Sequence, residues 1–515
     1  MIDGAAPRGE ERRLRTSVLL TLASALIPGS GLLGAPRRGL RVLGAVTAVS
    51  SLAVAGGLTW WALTDLSKLT QTAQRQSTLT LATPVLGALA IVWVALIVLT
   101  QTTTRPNGLS AGRRALSAAL VTVLAFGVAA PTAVAARYSR DAHQLLDTVL
   151  PQASAIKASS RQTIAHTKAP DPWADTPRVN ILLLGADGNA ARKDRIEEFG
   201  VRTDTIMVAS IDTRTGGTTL IQIPRNLPRT PFPDGSVMAE AFPRGFRGEG
   251  DSGNWYVNGI WEKTSAGGDY AHLFEGSTFP GAEALKQGVE GITGLEIDRF
   301  VMLNIDGLSG LIDAMGGVTV NVNRDLPIGG NHNRGIRPSG YIERGQDRHL
   351  GGYEAMWFAR SRYDSSDYDR MARQSCLVDA IIQQANPQTL VTSFEAIAAA
   401  SAEILTTDIT RDEFGAFIDL AFRVQDGASV SRLAFVPGKN GYSSSRPDFE
   451  AMRAAVATAI EPQEASPSPS TNPPTSQVSP LPASESPSAA PTETYDEERL
   501  RDGTQNVADA CAWQG

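Results

Sequence analysis

The chain is 515 residues long, which leaves room for more than one domain. It carries 47 Lys and Arg against 53 Asp and Glu, and the net charge of −6 is too mild to point to any class of partner. The average hides a division: residues 16–136 are dominated by Leu, Ala, Val, Thr and Gly, with charge confined to short clusters.

A short basic N-terminus, residues 1–15, precedes this membrane region, residues 16–136. Three stretches in it reach the roughly 20 apolar residues that a bilayer span needs: 43–63, 79–100 and 116–136. A fourth, 17–33, is shorter and is broken by Pro28-Gly29-Ser30-Gly31. Arg8, Arg12, Arg13 and Arg15 precede it, and Arg37, Arg38 and Arg41 follow it. Basic flanks on both sides favour two cytoplasmic ends, and so a segment that dips in and returns. A fourth full span is the alternative, but it would put the basic N-terminus outside. Three spans place everything after Ala136 on the extracellular face. Trp60 and Trp61 read as interfacial anchors. No charge lies within the three spans, so a transport or proton-relay role has no intramembrane support.

Residues 137–175 are mixed and polar and read as a stalk, with an amphipathic helix expected in 142–156. Residues 176–461 then alternate strand-like and helix-like runs, which predicts an extracellular α/β domain, an α-β-α sandwich around a mixed sheet. Asn180–Leu184 is a nearly all-apolar run closed by Gly185, as in a strand buried on both faces, and Asp187 lies just past it. Arg202-Thr203-Asp204-Thr205 leads into a second run, Ile206–Ile211. Thr218–Ile223 is a third, ending in Pro224-Arg225-Asn226. Two carboxylates at such strand ends suit a hard divalent cation, and the arginines suit phosphate. Taken singly, each is an ordinary turn residue; the set carries the argument.

Further along, 282–292 has helical apolar spacing, 299–303 reads as a strand, 308–315 as a helix stopped by Gly316-Gly317, and 318–322 as a strand. A short helix is expected at 353–356 and an extended segment at 358–362, whose alternation puts Arg360 and Arg362 on one face. Ser366 or Asp367 can cap the next helix, whose apolar stripe is Met371, Val378, Ile381, Ile382 and Ala385. Arg370, Arg373 and Gln374 fall at i, i+3 and i+4 along its first turns, a favourable place for phosphate. Ion pairing with Asp364, Asp367 and Asp369 is the plainer reading, but four arginines within 14 residues exceed that need.

Residues 462–495 are rich in Pro, Ser and Thr and should form a disordered linker before the tail, 496–515. The only cysteines are Cys376 and Cys511. Either they pair and tie the tail to the domain, or they are a buried helix thiol and a loose terminal one; the residues leave both open. No Gly-x-x-x-x-Gly-Lys-Ser/Thr follows the first strand, and no Gly-x-Ser-x-Gly elbow is present, which counts against a nucleotide P-loop and an α/β-hydrolase. The five histidines have no zinc-ligand spacing. Arginines without an aromatic platform argue against nucleic acid.

The blocks NILLLGADG…RTDTIMVASID…IQIPRN, NIDGLSGLIDAMGGVTVNV and LGGYEAMWFARSRYDSSDYDRMARQ resemble, in order, those of the LytR–CpsA–Psr proteins, over roughly residues 178–385. The resemblance implies a phosphotransferase, anchored here by several spans rather than the family's common one, in the bacterial cell membrane. Such enzymes move a phosphate-linked glycopolymer from a polyprenyl-pyrophosphate carrier to a peptidoglycan hydroxyl. By position, Asp187 and Asp204 resemble the family's Mg²⁺ ligands. Arg202, Arg225, Arg360, Arg362, Arg370 and Arg373 resemble its pyrophosphate-binding arginines. Gln374 matches its terminal polar residue, and Asn258 an asparagine near the site. Arg225, Asp204 and Arg362 are the residues expected to carry turnover.

The chain departs from the pattern at Asn226, where the family usually has an acid. An amide takes no proton at neutral pH, so Asn226 can only bind and orient a substrate or a neighbour; if the family acid is a base, another group must serve, Asp187 or Asp204 through a metal-bound water. Gly188-Asn189 also stands where many members have a further arginine. The 230–268 loop, with Trp255 and Tyr256, is either an acceptor contact or a packed surface loop. Two rival readings follow: a polyprenyl-pyrophosphate phosphatase with water as acceptor, or a non-catalytic sensor that holds the same lipid.

Overall fold

The structure is a computed structural model. It describes residues 6–64, 76–106, 109–156, 171–186, 203–331, 335–363, 365–384, 405–426, 430–461 and 504–515. Asp187, Arg202, Gly188, Asn189, Asp364, Ala385 and the 462–495 linker therefore lie outside the described residues. The chain divides into two compact units, Met1–Thr148 and Val149–Gly515.

The first unit contains α1 (Ala6–Leu26), α2 (Arg38–Thr64), α3 (Gln76–Thr104) and α4 (Ala111–Val149). Three segments of these helices are long and apolar enough to cross a membrane: Arg38–Trp61, Pro84–Thr104 and Ala111–Arg137. The chain turns between α1 and α2 at the break that the sequence places there. Gly29 has φ +82°, and a Cβ on it would lie 1.8 Å from Thr47 Oγ1, so only glycine fits. Leu32 and Ala35 of the turn bury against Leu96. Polar atoms of α1 are matched by α3: Thr21 Oγ1 donates to Gln101 Oε1 at 2.6 Å, and Trp93 Nε1 donates to the Ser24 carbonyl at 3.1 Å. Such pairing is what buried hydroxyls and carbonyls require in apolar surroundings. The helix expected at 142–156 is instead the end of α4 followed by a 3₁₀ turn, Ala153–Ala155.

The second unit is built on β1 (Arg178–Ala186), β2 (Thr203–Asp212), β3 (Thr218–Ile223), β4 (Arg299–Asn304), β5 (Val318–Val322), β6 (Leu326–Ile328), β7 (Gly340–Ile342), β8 (Gly345–Leu350), β9 (Leu405–Thr407), β10 (Val430–Ala434) and β11 (Thr504–Asn506). Its longer helices are α5 (Pro280–Thr293), α6 (Ile305–Ala314), α7 (Gly352–Arg360), α8 (Asp367–Gln384), α9 (Arg411–Gln425) and α10 (Phe449–Ile460). Seven strands form one mixed sheet in the order β11-β10-β3-β2-β1-β4-β9. β1 runs antiparallel to β2 and parallel to β4, and β3 runs antiparallel to β2. The C-terminal ends of β1, β3 and β4 and the start of β2 therefore meet along one edge.

Alternation along the strands supplies two cores. Leu182, Leu184, Ile206, Val208, Ile221 and Ile223 face α5 and α10. Ile181, Met207, Ala209, Ile211 and Leu220 face α9, Trp173 and part of α8. A third cluster joins α6, α7 and α8 to the small sheets β5–β8 and β6–β7. This is the expected α-β-α arrangement with a mixed sheet.

Two details differ from the sequence reading, and the 230–268 loop takes the packed form of its two readings. Residues 358–360 are not extended but complete α7, because Gly352–Arg360 buries Ala355, Met356, Phe358 and Ala359 on one helical face. The stalk ends earlier than 175, since Trp173 is 1% exposed and its Nε1 donates to the Ala416 carbonyl at 3.1 Å. The 230–268 loop packs on itself and on Tyr270 just beyond it: Phe242, Phe246, Trp255 and Tyr270 form edge and tilted ring contacts, with Lys263 Nζ 4.6 Å from the Trp255 ring centroid.

The tail returns to the domain. β11 pairs with β10, and Cys511 is disulfide-bonded to Cys376 on α8, 135 residues away in sequence. Asn321 Nδ2 donates to the Cys511 carbonyl at 3.0 Å, and the Arg344 guanidinium lies 5.0 Å from the Trp513 ring centroid. A cross-link closing so long a loop removes much denatured-state entropy, about 3–5 kcal/mol. Replacing Cys511 with Ser should therefore lower the thermal midpoint of the second unit by several degrees. An unchanged midpoint under oxidising conditions would show that β11 and the Trp513 contact hold the tail without the bond.

Candidate functional site

A crevice of about 970 Å³ opens between one face of the large sheet and helices α6, α7 and α8. Strand register builds its floor. Met207, Leu183 and Val301 are side by side on β2, β1 and β4, and Thr205, Gly185 and Leu303 form the next row towards the strand ends. All six line the crevice. Leu183, Val301 and Leu303 are only half-buried, in a sheet whose other apolar residues are mostly closed off. Leu308, Met356, Leu377, Val378 and Ile381 supply the opposite apolar wall from the three helices. Val378 and Ile381 belong to the predicted α8 stripe, so that stripe packs the core and walls the crevice at once.

The same crevice has a charged end. Asp204, Arg225, Arg360, Arg362, Asp367 and Arg370 line it, and they come from three separate stretches of chain. Arg225 follows β3 and donates from Nη1 to Asp204 Oδ1 at 2.6 Å. Asp367 opens α8 and sits among three guanidiniums. Arg362 Nη1 donates to its Oδ1 at 3.2 Å, Arg370 Nη2 donates to its Oδ2 at 2.9 Å, and Arg225 Nε lies 4.0 Å from Oδ1. Arg360 lies 5.7 Å from the Trp357 ring centroid. Four guanidiniums thus face two carboxylates, an excess of two positive charges among the described lining residues.

Arg370 is the buried member, with its side chain 6% exposed. Burial lowers its pKa below the usual guanidinium value. Asp367 opposes that shift, while the like charges of Arg225 and Arg362 add to it. Helix α8 is started by reciprocal bonds: Ser366 Oγ accepts from the Asp369 amide at 3.2 Å, and the Ser366 amide donates to Asp369 Oδ2 at 2.8 Å. Ser366 and Asp369 thereby do the capping, which leaves the Asp367 carboxylate for the arginines.

The remaining predicted residues surround this cluster. Gln374 lines the crevice, and its Nε2 donates to Thr205 Oγ1 at 3.0 Å and to the Ala359 carbonyl at 3.3 Å. Arg373 is buried and is not among the lining residues. Its guanidinium donates to the Phe358 carbonyl at 2.8 Å and to that of Ser361, bracing the α7–α8 turn that carries Arg360 and Arg362. Asn258 is buried, and its backbone amide donates to the Arg225 carbonyl at 3.3 Å. Asn226 is exposed, lies outside the crevice wall, and accepts from the Tyr442 hydroxyl at 3.4 Å. Asp187 and Arg202 lie outside the described residues, although β1 ends in the crevice wall at Ala186.

The ion pairing expected of Asp367 is present, with Arg362 and Arg370 as its partners. The sequence reading misses several contributors: Asn304, Trp357, Tyr363 and the Gly329–Asn331 turn also line the crevice. The Gly329-Gly330 doublet was the available signal. Both residues have positive φ, and a Cβ on Gly330 would lie 2.7 Å from the Tyr363 ring. The turn after β6 can therefore approach the site only as glycine.

A divalent ion would have to use few protein ligands. No group of three His, Cys, Asp or Glu able to hold a metal occurs among the described residues. One or two carboxylates completed by substrate phosphates is the usual Mg²⁺ arrangement, and Asp204 offers a hard oxygen at the charged end. Asp204 Oδ1 accepts from Arg225, so its Oδ2 is the oxygen that could serve such an ion.

The chain is similar to several known proteins. A 27% identical relative over 259 residues, covering 50% of this chain and 67% of its own length, is the polyisoprenyl-teichoic acid–peptidoglycan teichoic acid transferase TagU of Halalkalibacterium halodurans. The probable cell wall biosynthesis protein LcpB of Corynebacterium glutamicum is 30% identical over 240 residues, covering 43% of this chain and 45% of its own length. Biofilm regulatory protein A of Streptococcus mutans is 24% identical, covering 46% and 52%. The matches thus span about half to two thirds of these relatives. Among solved structures, Bacillus subtilis TagV aligns with a TM-score of 0.37 at 19% identity, covering 55% of this chain and 96% of that one. The family model for LytR_cpsA_psr matches residues 148–445, more than half of the sequence. The chain belongs to the LytR_cpsA_psr family.

Proposed function

We propose that this protein transfers a phosphate-linked glycopolymer from a polyprenyl-pyrophosphate carrier to a hydroxyl of peptidoglycan, with Mg²⁺, at the outer face of a bacterial membrane. The observation that carries the reading is the two-ended crevice: an apolar floor and wall leading to a cluster of arginines with surplus positive charge. That is the complement of a lipid ending in a doubly charged headgroup. The family relationship and the name of the TagU relative support the same chemistry. Three helices suited to cross a membrane support a multi-pass anchor next to the source of a lipid substrate.

The chemistry follows from charge. The acceptor oxygen attacks the phosphorus that bears the glycopolymer. A new O–P bond forms, the bond from that phosphorus to the bridging oxygen breaks, and polyprenyl phosphate leaves carrying the proton from the acceptor hydroxyl. The phosphate oxygens repel the incoming oxygen until their charge is offset. Arg225, Arg360, Arg362 and Arg370 present planar forks that bind those oxygens and hold the phosphorus in line. When bound, Mg²⁺ would add Lewis-acid neutralisation of the phosphates, with Asp204 as its described carboxylate and Asp187 as the further candidate. Gln374 and Arg373 support the walls. Asn226, outside the crevice, gives little reason to prefer a non-catalytic binder.

Radiolabelled lipid-linked polymer offered with peptidoglycan tests the reading. Label transferred to the wall supports it; free phosphate would make the protein a phosphatase, and retention without turnover a binder. Arg225→Ala and Arg362→Ala should each cut turnover by at least ~10²-fold, as loss of a group stabilising transition-state charge does. Circular dichroism should show both variants folded, and near-native rates in either would contradict the assignment. Asp204→Asn should weaken the Mg²⁺ dependence of geranyl pyrophosphate binding measured by calorimetry; an unchanged dependence on Mg²⁺ would remove Asp204 from the metal site.

A further inference from the structure

Asp367 is not needed to start its helix, because Ser366 and Asp369 already bond reciprocally at that end. Yet its two carboxylate oxygens take the hydrogen-bonding groups of Arg362 and Arg370, with Arg225 Nε 4.0 Å away. Its side chain is 28% exposed and lines the crevice. An anion with two oxygens, held among three guanidiniums at the polar end of an apolar cleft, occupies the place that a phosphate of the proposed substrate would take.

We infer that Asp367 is an internal counter-anion: it holds Arg225, Arg362 and Arg370 in position before substrate binds and competes with the substrate pyrophosphate for them. This rests on the functional reading above and deepens it. Arg370 explains the need. A guanidinium this deeply buried loses hydration and lies near two like charges, so it requires a fixed anion when no ligand is present. A bound pyrophosphate offers the same arginines more oxygens and more charge, and the carboxylate then becomes a repulsive neighbour. That repulsion favours departure of the anionic product once transfer has occurred. Asp367 is thus a positioning residue with a second, opposing effect on affinity.

The two effects separate in one variant. Asp367→Asn keeps the shape and removes the charge. It should lower the melting temperature of the ligand-free protein, because Arg370 loses its counter-anion. It should also bind the short probe geranyl pyrophosphate roughly tenfold more tightly at low salt, the scale expected for removing one close like charge near a partly exposed site. The gain should shrink as salt is raised, and kcat should fall together with KM. Asp367→Glu, which keeps the charge, should bind the probe at near-native affinity. Asp367→Ser, neutral and well suited to a helix start, serves if the amide variant does not fold. Calorimetry on the full-length protein in detergent provides the affinities. Unchanged or weaker binding in the neutral variants, with the native protein binding normally, would overturn the inference, because a purely structural role loosens the site. A loss of kcat at unchanged affinity would also overturn it. If neither native nor variant protein binds the probe, the functional reading itself fails, and this inference falls with it.

Discussion

Like charges have to be held together at the head of an apolar cleft, and much of the second unit serves that constraint. Arg225, Arg362 and Arg370 repel one another, and one of them is almost fully buried. Asp204 and Asp367 make the cluster tolerable without neutralising it. Among the described lining residues positive charge is in surplus, which suits the pyrophosphate of the proposed substrate.

The constraint extends into the scaffold. Three stretches of chain contribute to the cluster, so the elements carrying them need fixed relative positions. β2 and β3 are neighbours in the large sheet, which places Asp204 beside Arg225. α7 and α8 are joined by a tight turn, which Arg373 braces through the carbonyls of Phe358 and Ser361. Gln374 ties α8 to β2 through Thr205. The Cys376–Cys511 bond then fixes α8 to the returning tail only two residues beyond Gln374. Residues with no place at the crevice surface thus determine where the crevice arginines stand.

The apolar part of the cleft follows from parity. A strand buried on both faces has apolar residues at every position, and the pleat sends alternate ones to opposite cores. On β1 the even positions are sealed under α5 and α10. On the other face, Leu183 lies under a helical layer that does not close fully against it. The same sequence pattern therefore makes a sealed core on one side and an open apolar floor on the other.

Much of this was legible in the sequence. Apolar runs and their punctuation located β1 to β5 and the helices α5, α6 and α8 to within a few residues, because burial imposes a period of 2 or 3.6 that composition cannot hide. The three helices suited to a membrane were equally plain. Motif order identified Arg225, Arg360, Arg362, Arg370, Gln374 and Asp204 as a set, and the fold brings them to one crevice. Other features were decided by tertiary structure alone. That Arg373 braces a turn, that Asn226 lies outside the crevice lining, that Trp173 belongs to the core and that Asp367 sits among three guanidiniums depend on distances between segments far apart in the chain. Residue type and spacing are local quantities. The partner of a charged side chain is set by how sheet, helices and tail pack, and a single line of sequence carries no measure of that.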